Sequence, residues 1–343
     1  GSILYYITMV NDVYAQFLTG VKTNQLPGDK FPTTQADLDG IVKFAADNGV
    51  TLTDPDALAI EIKTSWVDAS TLKDTSTYIT IKAIAPTYEK TDTLWTQNGS
   101  ETITLAMVGA HIVGSTAGHP EMVWATFEHK DNAPNLAYQY VDNKNQTKTV
   151  PADTGNNWVL NNDSASDTYN VSHMTFDNND IKAKSGQTVS ASNTKMINAW
   201  GVADTGVPNP ENATPAASNS QVISINNSTL SQLADGDMRK NYIFIGATWT
   251  DSGAAPTGDS YSATNTKSGV AIGTSQLANS TMETYAQYDA SNSGFPGTNA
   301  SCFRCHSNYY NAEDPNSGLK PSDLSHVFGA ILPLNEKPTE DAQ

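Results

Sequence analysis

Residues 109–129 read GAHIVGSTAGHPEMVWATFEH. The segments Thr102 to Val113 and Met122 to Phe127 are almost continuously apolar, the composition of central strands. Gly114 to Gly118 between them is small and turn-prone, so the stretch predicts two antiparallel strands joined by a hairpin loop. On the N-terminal side, Ala59 to Val67 (AIEIKTSWV) and Tyr78 to Ile84 (YITIKAI) alternate apolar and polar residues, as half-buried strands do. Further along, Tyr242 to Trp249 and Gly269 to Ile272 add short β-like runs. Trp66, Trp124 and Trp249 fall in these strands and are expected to pack the core.

Helical signals are fewer. From about Thr34 to Asn48, Leu38, Ile41, Val42 and Ala45 recur at helical spacing, and Gly49 suits the position just past a helix end. A second helix is predicted at Ser275 to Tyr288, with Ala278, Met282 and Tyr285 on one face. The apolar stretch Ile3 to Phe17 reads as a strand, either buried in the chain's own sheet or given to a neighbouring subunit. Two polar Asn-rich stretches, Val141 to Asn170 and Val202 to Ser220, read as long loops or insertions. The expected fold is therefore mainly β (α+β). A β-sandwich-like body with few helices spans residues 1–295, internal division being placed near 141–170, and a loop/helix C-terminal segment spans 296–343.

Composition removes several classes of function. Among 343 residues, 36 are acidic and 19 basic, giving a formal charge of -17, and the only arginines are Arg239 and Arg304. Such a surface is a poor match for nucleic acid. No apolar run approaches the roughly 20 residues of a membrane helix, so no membrane span is expected. Asp235-Gly236-Asp237 lacks the further carboxylates of a calcium loop and reads as a turn.

The two cysteines carry the sharpest chemical signal. They stand in Cys302-Phe303-Arg304-Cys305-His306, the C-x-x-C-H spacing of covalent haem c attachment. Two thiols on one turn reach both vinyl groups of a porphyrin, and the adjacent imidazole becomes the proximal iron ligand. Two other chemistries use the same residues: a redox-active pair, and half of a zinc site. The first is expected at a helix start early in a βαβ pattern, whereas this motif lies late in an Asn/Ser-rich region; the second wants another thiol pair, which the chain lacks.

A second axial ligand decides between electron carriage and catalysis. His326 is the candidate, on a short helix capped near Ser322 whose apolar stripe is Leu324, Val327, Phe328 and Ile331; Met282 is its rival. A separate constellation is His111, His119, Glu121 and His129. With the hairpin loop at 114–118, His111 falls nearly opposite Glu121, and 119, 121 and 129 share a strand face, so the four are candidates for a metal site or a proton-donating wall, His119 and Glu121 being the catalytic candidates. The alternative is four separately satisfied polar residues, because Pro120 interrupts the strand. His173 reads as an ordinary strand residue.

Five blocks taken together, namely AIEIKTSWV, GAHIVGSTAGHPEMVWATFEH, LANSTMETYAQ (277–287), CFRCH and LSHVFGAILPL (324–334), resemble a group of bacterial proteins described as cytochrome c family proteins. The resemblance implies one covalent haem c and a body unlike the small all-helical cytochrome c fold. Bacteria attach such haem outside the cytoplasm, so a periplasmic or extracellular protein is expected, and the opening Gly1-Ser2 suits a processed or trimmed chain. The functional expectation is a monohaem cytochrome passing single electrons to or from redox partner proteins, basic ones given the acidic surface. Two alternatives are a haem enzyme with an open distal site, and a structural subunit that self-assembles through edge strands into a haem-bearing extracellular array.

Overall fold

The computed structural model describes residues 2–155, 157–162, 169–196, 219–257, 268–273, 279–283, 302–307 and 317–334. The chain begins with strand β1 (Tyr5–Val10) and helices α1 (Asp12–Lys22) and α2 (Gln35–Asp47). Strands β2 (Ile60–Asp68), β3 (Thr80–Lys90), β4 (Leu94–Thr116) and β5 (His119–His129) follow. Four short strands come next: β6 (Tyr138–Val141), β7 (Thr147–Val150), β8 (Met174–Asp177) and β9 (Asp180–Ala183). The described chain ends with α3 (Asn219–Gln232), β10 (Tyr242–Thr250), β11 (Ala271–Gly273), α4 (Pro321–Leu324) and α5 (His326–Ala330).

The architecture is α+β and strand-rich, as expected. One antiparallel sheet runs β1-β2-β4-β5-β10-β11; β3 pairs along the first half of β4, and β9 joins β4 to β8. β6 and β7 form a separate hairpin. The layer over one face of the large sheet is helical: Val13, Tyr14, Phe17 and Leu18 of α1 and Leu38, Ile41 and Ala45 of α2 share a core with Val113, Met122 and Trp124 of the sheet. Phe303, Leu324 and Phe328 belong to that same core, so the C-terminal segment completes the body's interior.

Local chemistry explains the elements. Thr34 caps α2 through its hydroxyl, which accepts from the Asp37 amide, and the Asp37 carboxylate accepts in turn from the Thr34 amide, a full capping box. Gly49, at φ +74, ends the helix as its composition predicts. Near the N-terminus the strand stops earlier than expected. The side chain of Asn11 accepts from the amide of Tyr14 and starts α1, so the apolar stretch from Ile3 divides into an edge strand, paired with β2 of its own sheet, and a helix. α3 is also unanticipated, because its sequence NSQVISINNSTLSQ has weak helix formers and little amphipathic contrast. Its Asn226 nevertheless both donates to and accepts from the backbone of Phe244, at the irregularity where β10 shifts register against β5. Of the helix predicted at 275–288, only 279–283 lies within the described residues. There Met282 and Glu283 both donate to the Asn279 carbonyl, forming a turn.

The hairpin departs from expectation in one respect that matters for function. Its turn is just Ala117-Gly118, with Thr116 opposite His119 and Gly118 at φ +81. The register then shifts, because Pro120, Glu121 and Met122 crowd opposite Ser115, and Met122 takes φ +69. Consequently His111 lies opposite Thr126, not Glu121.

Candidate functional site

One face of the sheet carries Glu61 and Lys63 from β2, His111 and Val113 from β4, and Trp124, Thr126 and Glu128 from β5, as the register dictates. Over it sit the turn 279–283 and the C-x-x-C-H motif. Cys302–Arg304 is a 3₁₀ turn, and the amides of Cys305 and His306 both donate to the Cys302 carbonyl at 3.2 and 3.0 Å. This turn is anchored by Phe303, which is 1 % exposed and meets Trp124 edge to face at 6.1 Å. Cys302 is half-buried and Cys305 exposed, both as thiols. Burial, reinforced by the negative charge of Glu283, pushes the Cys302 thiol far above the ordinary range.

The imidazole of His306 is held in one orientation. Its ring lies 4.2 Å from that of Trp124 and 4.1 Å from that of His326, and its Nδ1 is 2.7 Å from the carbonyl oxygen of Leu324. A carbonyl only accepts, so Nδ1 carries the proton and the lone pair of the neutral ring resides on Nε2. Burial, with help from neighbouring His326, lowers the His306 pKa to about 3, so the ring stays neutral. Nε2 has no hydrogen-bond partner among the described residues.

The Leu324 carbonyl is available because the expected single helix is broken. It divides at Ser325, which is extended (φ -112, ψ 115) and leaves Leu324 as the last residue of α4, with its carbonyl outside the helical ladder. The break is itself bonded: Tyr14 donates to the Ser325 hydroxyl at 2.9 Å, and that hydroxyl donates to Glu61 at 2.6 Å. Burial raises the Glu61 carboxyl. His326 therefore begins α5 instead of riding on the polar side of a longer helix. It is exposed, its Nε2 donates to the Cys305 carbonyl at 3.2 Å, and its ring stacks on His306 with 22° between the planes. Met282 lies half-buried in the turn 279–283.

The structure does not bring the four residues of the hairpin constellation together. His111 pairs through Nε2 with Glu283 at 2.8 Å. Burial alone would raise Glu283, but His111, as charge and hydrogen-bond partner, outweighs it and lowers the carboxyl. His119 pairs through Nδ1 with Glu121 at 2.7 Å, and the same Glu121 oxygen accepts from the Thr250 amide at 3.0 Å. His129 stacks on Tyr78 with ring centroids 3.8 Å apart, donates to the Thr77 carbonyl and accepts from the Asp131 amide. The two-residue turn at Ala117-Gly118 sets a register of different parity from the expected loop, so His111 shares its face with Trp124 and Thr126. Among the described residues no three His, Cys, Asp or Glu side chains are grouped to hold a metal ion. His173 bonds Ser190 just before β8.

Sequence reasoning missed several contributors. Trp124 reads only as core, and a backbone carbonyl such as Leu324 has no side-chain signature. Glu128 belongs to no motif, yet it is wholly buried, its oxygens taken by the amide and hydroxyl of Ser280 and by Asn132. Burial pushes Glu128 up to about 7, from 4.5 for an ordinary glutamate. Between pH 4.5 and 7 the unfolded chain releases this proton while the folded chain keeps it, so stability falls as pH rises through that window. Glu128→Gln is expected to abolish that loss, on the order of 3 kcal/mol. Urea denaturation of both proteins across the window measures it, and parallel pH dependences would refute the assignment. His129, lowered by burial to about 4, adds the opposite slope below neutrality in both proteins and cancels in the comparison.

No family model, curated protein or solved structure matches this chain.

Proposed function

We propose that this protein is an extracytoplasmic monohaem c-type cytochrome that transfers single electrons to or from redox partners. The observation that carries the reading is the bond from His306 Nδ1 to the Leu324 carbonyl. It fixes the tautomer that presents Nε2 as a lone pair, the arrangement of a metal-ligating histidine with its second ring nitrogen tied to a backbone carbonyl. The donor set fits a covalently held haem. Cys302 and Cys305 on one turn supply two thioether sulfurs, and His306 supplies the proximal iron ligand. Trp124 and Phe303 wall off the inner side with apolar surface. A haem held here supplies one-electron iron chemistry. The resemblance of the five sequence blocks points the same way. The acidic surface then steers basic partners, an attraction that salt weakens.

A specific observation keeps a haem enzyme with an open distal site as the second reading. To hold one metal ion between them, His306 and His326 would each have to turn a ring nitrogen toward it. His306 and His326 stack face to face at 4.1 Å, so distal ligation by His326 requires that stack to open. Met282 is the other candidate for the sixth position.

Absorption spectra of protein made in a host that attaches c-type haem separate these readings. We expect a low-spin wild-type spectrum, lost in His306→Ala and retained in His326→Ala. A high-spin wild-type spectrum that responds to small ligands favours the enzyme, and an unaltered spectrum in His306→Ala overturns the proximal assignment.

A further inference from the structure

The helical layer and the C-terminal segment cover one face of the large sheet. An antiparallel sheet covered on one side ordinarily turns polar residues to the other. This one does not. Met9, Ile62, Ile112, Ala125 and Ala247 lie side by side across β1, β2, β4, β5 and β10. Ile60, Gly114 and Val123 form the next row on one side, and Ile7, Thr64, Ala110, Phe127 and Phe244 the row on the other. The charged residues of the same strand segments, Glu61, Lys63 and Glu128, stand with His111 on the opposite face, and the three rows hold none.

The middle row is open to solvent. Ile112, on the third of its five strands, is 40 % exposed, and Met9 at its end is 51 % exposed. Ile60, Ile62 and Val123 are half-buried and belong to none of the apolar clusters formed among the described residues. Five strands at about 4.8 Å and three rows at about 7 Å span roughly 500 Å². Side chains standing off that plane expose more than its projected area, so two such faces together reach the roughly 1,000 Å² that a specific interface needs. Contiguous apolar surface of this extent marks an interaction site on a soluble protein.

Charge selects the occupant. The chain carries a formal charge of -17, and a basic partner drawn to it would look for acidic groups, which this face does not offer. A charge-free sheet face is matched by another of the same kind and extent, and a second copy of the chain supplies one. Two sheets pack face to face about 10 Å apart through interdigitating apolar side chains, and two-fold symmetry uses the same patch on both copies. We propose that this protein forms a homodimer through the uncovered face of its large sheet, centred on Ile112. The β-sandwich expected from the sequence then arises between copies instead of within one. Both C-x-x-C-H motifs lie on the outer sides of the pair, since each sits with the helical layer.

Sedimentation equilibrium and light scattering of the full chain, from about 1 to about 200 μM, test this. The expected result is a monomer–dimer equilibrium with a micromolar dissociation constant. Raising salt from about 0.05 to about 0.5 M should tighten it several-fold, because repulsion between two acidic copies is screened. Ile112→Lys sets a charge from each copy into the centre of the interface and should weaken association at least about tenfold. Ala125→Lys repeats the test on β5 if Ile112→Lys does not fold, as judged by circular dichroism and melting. Ile84→Lys, at an exposed apolar position of β3 outside the three rows, should leave association unchanged. A monomer at the highest concentration overturns the proposal. So does a dimer that both Ile112→Lys and Ala125→Lys leave intact, or growth beyond a dimer, which would place the contact at the sheet edges. The result is independent of the haem reading, since the double variant Cys302→Ala, Cys305→Ala is expected to associate as wild type does.

Discussion

Trp124→Ala is expected to lower the unfolding free energy by about 3–5 kcal/mol, the cost of emptying a large aromatic site in a packed core. Trp124 is 7 % exposed and belongs to the core that joins α1, α2, the sheet and the C-terminal segment. Its indole meets Phe303 edge to face and lies 4.2 Å from the His306 ring, while its Nε1 donates to the Glu121 carbonyl at 3.0 Å. Truncation thus removes apolar contacts and leaves a buried carbonyl without its donor. The effect should appear as a lower urea midpoint at nearly unchanged slope. Trp124→Phe should recover a large part of the loss, because a ring is restored but not the donor. A loss below about 1 kcal/mol for Trp124→Ala would mean that the motif is not seated on the sheet by this residue.

The second large effect concerns the thiols. Cys302→Ala and Cys305→Ala singly are each expected to leave haem attached through one sulfur at reduced yield, and the double replacement to leave none attached covalently. In-gel haem staining after denaturation is the readout. The pair is also expected to leave the fold intact, because Cys302 only borders the apolar core and Cys305 is exposed. Stained protein in the double variant would show that attachment does not use these residues.

Part of this arrangement is legible in the sequence. Alternation in Ala59 to Val67 places β2, and the spacing of Leu38, Ile41, Val42 and Ala45 with Gly49 delimits α2, because those signals are local and strong. Local signals fail where a tertiary contact decides. The turn at Ala117-Gly118 gives a register of different parity from the expected loop, and the crowding at Pro120 to Met122 slides β5 two residues further, so the expected grouping of His111, His119, Glu121 and His129 dissolves into separate pairs. α1 is hidden in an apolar run because one residue, Asn11, ends the strand and caps the helix. The break at Ser325 depends on Tyr14 and Glu61, both more than two hundred residues earlier in the chain, and it is this break that directs the Leu324 carbonyl to His306. The spacing C-x-x-C-H therefore marks His306, while the carbonyl that orients its ring emerges only from the fold.

The most direct test of the central claim is the intact mass of the wild-type protein under denaturing conditions, after production in a host that attaches c-type haem. The account predicts the mass of the chain plus one haem, borne on the peptide that contains Cys302 and Cys305. A chain mass with no haem, from a host that loads a control cytochrome in parallel, would contradict it and return both cysteines to other chemistry.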